Sequence, residues 1–87
     1  MIVRMFAVYD GVARAFATPF FMRSDGEALR AFSSEVNNPQ SSLNRNASDF
    51  TLHVLGDFDD SSGEFTSAPA RLASAASLLV PVQKDDV

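Results

Sequence analysis

The chain has 87 residues, with 7 Lys and Arg against 11 Asp and Glu, a formal net charge of −4, and no cysteine. It is therefore one small domain near the lower size limit for unaided folding; disulfides and thiolate metal sites are excluded, and its core has to come from packing, with a partner chain as one source. An apolar content of 46% with 8 Phe argues against disorder, and the negative charge opposes simple coating of nucleic acid, because phosphate-binding proteins carry a basic excess.

Residues 2–9 are rich in β-branched and aromatic side chains, and Asp10-Gly11 is a turn signal, which predicts a strand followed by a turn. The same segment is too short and too soon charged to be a signal peptide, and no apolar run approaches the roughly 20 residues that span a bilayer. A soluble intracellular protein without membrane contact is expected. A second extended segment follows over residues 13–22. Alternation along strands sorts Ile2, Arg4, Phe6 and Val8 with Ala13, Ala15 and Ala17 on one face. Val3, Met5, Ala7 and Tyr9 fall on the other face with Arg14, Phe16 and Phe20. The alanine-rich face leaves room for a helix and is expected to be the core side. Pro19 cannot donate a ladder bond, which puts the second strand at a sheet edge there.

Ser24 and Glu27 have the spacing of a capping box, and Ala28, Leu29, Phe32 and Val36 form an apolar stripe at helical period. Asn37-Asn38-Pro39 ends that helix. Residues 40–49, rich in Ser and Asn, are expected to form a long surface loop and the most mobile element. A third strand begins at Phe50, with Phe50, Leu52, Val54 and Phe58 on one face, and Gly56 signals a bulge or a close backbone approach. Ser61-Ser62-Gly63 turns the chain into a short strand around residues 64–66. Pro69 precedes an alanine-rich stretch, residues 70–79, expected to be a second helix. The domain is read as residues 1–80, with a polar tail over 81–87.

Asp57, Asp59, Asp60 and Glu64 crowd one hairpin, but Ser62 and Ala68 stand where a calcium loop needs glycine and a bidentate Glu. Turn formation and solvation account for these carboxylates, and no metal or other cofactor is expected. His53, the only histidine, has neither nucleophile nor orienting carboxylate in a recognisable motif. There is no phosphate-binding glycine loop, zinc spacing or nucleophile elbow, so no enzyme is expected. Tyr9, Phe16 and Phe20 with Arg14 compose an aromatic and basic strand face of the kind that stacks unpaired bases. In so small a domain a place in the core, or in a dimer contact, is the reading these rings favour over a stacking platform.

The set Phe6-Ala7-Val8-Tyr9-Asp10, Pro19-Phe20-Phe21, Gly26-Glu27-Ala28 with Arg30-Ala31-Phe32, Val36-Asn37-Asn38-Pro39, and Asp49-Phe50-Thr51-Leu52 leading to Leu55-Gly56-Asp57-Phe58-Asp59-Asp60 resembles a known family. It is similar to the small nonstructural protein of gokushovirus-type microviruses, tailless bacteriophages with circular single-stranded DNA. The resemblance runs from about residue 5 to residue 72. Its alanine-rich 70–80 stretch departs from the family's short Pro-containing ending, which leaves open whether those residues are helical. The resemblance implies a nonstructural factor in the phage DNA cycle, described as DNA-binding or as acting in the switch from duplex replication to single-strand synthesis and packaging. It carries over no catalytic residue. The matched motifs are a helix start, a turn and a hairpin.

The expected fold is α+β, a small antiparallel sheet in ββαββ order with one main helix on one face and a short C-terminal helix. The expected function is that of a noncatalytic accessory protein in single-stranded DNA replication and packaging, in the host cytoplasm, with single-stranded DNA and phage or host replication proteins as partners. The alternative is a protein-binding or homo-oligomeric module that modulates a phage or host replication protein. A DNA binder needs its arginines gathered on one face despite the net charge.

Overall fold

Strand β1 (Ile2–Asp10) is the axis of a five-stranded antiparallel sheet. It pairs along its length with β4 (Phe50–Asp59), and β5 (Phe65–Ser74) pairs with the far side of β4. On its other side β1 meets a return strand in two pieces, β2 (Ala15–Phe16) and β3 (Phe20–Met22), so Pro19 lies at a sheet edge as expected. This computed structural model describes residues 1–80, and the tail expected at 81–87 lies outside the described residues. The α+β class and the strand order match the expectation, with the second strand divided.

Helix α1 (Asp25–Val36) covers one face of the sheet. Its Ala28, Phe32 and Val36 are buried against Phe6, Leu52 and Val54, with Val8 and Leu29 packed alongside. Ser24 caps the helix by accepting from the Glu27 N–H at 3.2 Å. The Glu27 carboxylate reaches back one residue further than a capping box requires, to the Arg23 N–H at 3.0 Å. Arg4 joins the start of α1 to the sheet, donating to Asp25 at 2.7 Å and to Asp57 at 3.0 Å.

Two irregularities decide which side chains face the helix. Tyr9 opposes Phe16, whereas Phe6 opposes Phe20, so the return strand gains one residue between its two pieces. A side chain changes face for each residue of slip. Phe20 is thereby turned to the helix side, stacked on Phe6 with ring centroids 5.8 Å apart, and not onto the face of Tyr9 that strict alternation predicts. In β4, Phe6 pairs with Val54 and Met5 with Gly56, which leaves Leu55 bulged. Phe50, Leu52 and Val54 face the helix as expected, but Phe58 is turned to the opposite side. Gly56 sits at the bulge, where a Cβ would overlap the Thr66 carbonyl oxygen and stand 2.7 Å from Phe65 Cζ.

Residues 40–49 are not an open loop. They fold into α2 (Ser42–Arg45) and a 3-10 turn (Ala47–Asp49), because Ser41 caps α2 and the Asn44 amide donates to the Val36 carbonyl at 2.9 Å. Leu43 packs against the core and Ala47 is buried in it. The expected helix over 70–79 is confined to α3 (Ala75–Leu78), since residues through Ser74 pair with β4. Alanine's helix propensity is worth only tenths of a kcal/mol per residue, and the unpaired edge of β4 offers a ladder that overrides it. Pro69 lies inside β5, an edge strand, at a register shift, the kind of position where a sheet tolerates a residue without an N–H.

Candidate functional site

The face of the sheet away from α1 carries the aromatic side chains that the core does not take. At one end, Phe16 lies 4.9 Å from Tyr9 and meets His53 edge-on at 5.2 Å, with Tyr9 and His53 6.0 Å apart. Phe16 is 48% exposed. Ala7, the cross-strand partner of His53, is fully buried on this face, small enough for its larger neighbours to close over it. The Thr51 hydroxyl lies 2.9 Å from His53 Nε2 and fixes the imidazole edge. Arg71 is the other cross-strand partner of His53. Burial, and secondarily the Arg71 charge, lower the His53 pKa from its ordinary 6.5, so the ring is neutral at neutral pH and acts as a third aromatic surface.

Toward the other end, Phe58 meets Phe21 at 5.9 Å, and Phe65 is its cross-strand partner. Phe21 and Phe65 are 50% and 44% exposed. The helix side at this end takes the charges instead. Asp57 holds Arg4, and Asp59, the cross-strand partner of Ile2, accepts the Ser61 N–H, which holds its carboxyl below the usual range. Among the described residues no three acidic, His or Cys side chains are grouped to hold a metal ion.

Of the residues expected to form a platform, Tyr9 and Phe16 are together and Phe20 is on the opposite face. Arg14 stands in the turn between β1 and β2, exposed, with a left-handed φ of 57°. His53 and Arg71 join Tyr9 and Phe16 through strand pairing, a relation that residue spacing does not display. On the helix side, two apolar clefts of about 400 and 310 Å³ share Val8 and Leu43, one running past Ala15, Ala17 and Phe50, the other past Phe20, Met22 and Phe32.

In class this is a small α+β protein with one face of its sheet covered by helix and the other bearing exposed aromatic rings. A family model described as Phage ORF5 protein matches residues 3–78, and the chain belongs to that family. It is thus a bacteriophage protein. Neither a curated protein nor a solved structure matches it. Among the described residues no helix is long and apolar enough to cross a membrane.

Proposed function

We propose that this phage protein is a noncatalytic, nonstructural accessory factor of a gokushovirus-type microvirus, working in the host cytoplasm and contacting single-stranded DNA through the uncovered face of its sheet. The observation that carries this reading is the ring cluster of Tyr9, Phe16 and His53, uncovered by the helix and bordered by Arg71. Unpaired bases stack on such rings whatever their identity, and a neighbouring guanidinium holds the backbone. Arg14 supports it from a second direction. It is exposed in the β1–β2 turn, which its left-handed φ closes with the Arg14 N–H on the Asp10 carbonyl, and its guanidinium adds a second cation for a phosphate backbone. With few cations in reach, binding is modest and only weakly sensitive to salt.

Fluorescence anisotropy of an oligo-dT strand and of a duplex, each at two salt concentrations, tests this. Single strands bind in preference to duplex. Tyr9→Ala or Phe16→Ala weakens binding roughly 5- to 150-fold, the equivalent of one stacked base at 1–3 kcal/mol, without changing the salt slope. Arg71→Ala and Arg14→Ala each flatten the slope by about one. Absence of single-strand binding at low salt favours the second reading, a module that binds a phage or host replication protein, for which the apolar clefts beside Val8 and Leu43 are the supporting feature.

A further inference from the structure

We propose that the uncovered face of the sheet is closed, in free protein, by the same face of a second copy of this chain. A sheet with two apolar sides is stable in water when both are covered, and here only one side has a layer of its own. The even-numbered residues of β1 point to the helix, while Val3, Met5 and Ala7 share the other face with Phe21, Phe58 and Phe65. Phe21 meets Phe58, and the Phe65 ring lies against Gly56 at the bulge, so rings stand on this face from the β3 edge to the β5 edge.

Three arguments select a second copy over another partner. The first is charge. The chain carries −4 overall, yet Asp57 and Asp59 are turned to the helix side, so neither is carried into the contact, and Arg71 on this face stands beside His53, at the end away from the Phe21–Phe58–Phe65 rings. The second is chemistry, since the Phe21–Phe58–Phe65 end offers no charge or fixed polar group for a different partner to read. A symmetric contact needs only self-complementarity. The third is area. Three strands of 9, 10 and 10 residues and the divided return strand from Ala15 to Met22, at about 3.3 Å per residue and about 4.8 Å apart, present a face of roughly 600 Å². Two such faces bury about 1,200 Å², the lower bound for a specific association. Packing follows the sheet-on-sheet geometry of a β-sandwich, about 10 Å between layers.

The proposal does not depend on DNA binding, and its test contains no DNA. Sedimentation velocity on the full chain over a range of concentrations gives twice the 9.4 kDa monomer mass at the upper end. Phe21→Glu and Phe65→Glu each raise the dimer Kd at least 100-fold. Val12→Glu, in the β1–β2 turn at a site 75% exposed, leaves it unchanged. A wild-type chain that stays monomeric at several hundred micromolar overturns the proposal. So does a dimer that survives both Phe variants, or one that Val12→Glu disrupts equally. If the Phe variants fail to fold, isotope-filtered NOEs between labelled and unlabelled wild-type chains decide instead. Contacts among the Phe21, Phe58 and Phe65 rings support the face, and contacts confined to other surfaces overturn it.

Discussion

Asn37 closes two helices at once. Its amide donates to the Ser33 carbonyl at 2.9 Å and to the Leu78 carbonyl at 3.0 Å, and its Oδ1 accepts the Val80 N–H at 2.8 Å. Asn37→Ala leaves the partly buried Leu78 carbonyl without its partner, while the Ser33 carbonyl keeps the Asn37 backbone N–H and the Val80 N–H turns to water, so the cost is about 1–2 kcal/mol, seen as a lowered denaturant midpoint. Arg14 presents the opposite case. Its φ of 57° disfavours any residue with a Cβ, so Arg14→Gly is neutral to stabilising by up to ~1 kcal/mol while weakening binding to oligo-dT. A loss of stability in that variant would show that the guanidinium serves the fold. His53 links stability to pH. Its folded pKa lies below 6.5, so the unfolded chain binds the extra proton first. Stability is full above pH 6.5, falls as pH drops through that value, and levels once the folded state is also protonated. Thermal melts between pH 8 and 5 follow this course, and His53→Gln flattens it. Asp59, with its carboxyl held low, adds its own loss only further into acid.

At the scale of elements, α1 is the most legible part of the chain. Ser24 caps it, Phe32 and Val36 anchor it, and both roles are readable from spacing alone. Ser24→Ala accordingly costs about 1 kcal/mol, and Phe32→Ala roughly 3–5 kcal/mol, by chemical denaturation. The sheet is legible only up to its first irregularity. Alternation assigns faces correctly for β1 and for Phe50 to Val54, then fails at Phe20 and Phe58, each lying beyond an extra residue. Gly56 signals one such residue. Nothing in Ala17-Thr18-Pro19 fixes the length of the other. Residues 70–74 were unreadable for a different reason, because a local helix preference competes with a ladder whose other half lies in β4. The candidate site suffers most from this, since His53 and Arg71 are neighbours only across strands. The bulge itself admits a direct test. Gly56→Ala forces a methyl group into the Thr66 carbonyl and the Phe65 ring, and destabilises by roughly 2–3 kcal/mol or more.

For the whole molecule, the two proposals share one surface, so they are linked by mass action. A strand stacked on Tyr9 and Phe16 removes area that a face-to-face dimer needs. Titrating oligo-dT into the dimer therefore lowers the protein's oligomeric order, and apparent DNA affinity declines as protein concentration rises. The sheet's two margins bear on what such association can become. An unpaired strand is ordinarily a template on which further strands grow. Here β5 is interrupted by Pro69 and by shifts of register, and the opposite margin is divided into β2 and β3. Neither border offers an unbroken row of donors and acceptors, and the third direction is occupied by α1. Stacking is the one mode of growth left, and a face that meets its own copy is used up by a single encounter. On the dimer proposal the assembly of this chain ends at two, and Pro69→Val, which restores a backbone N–H to the edge strand β5, is the substitution expected to release fibrillar growth in a thioflavin assay.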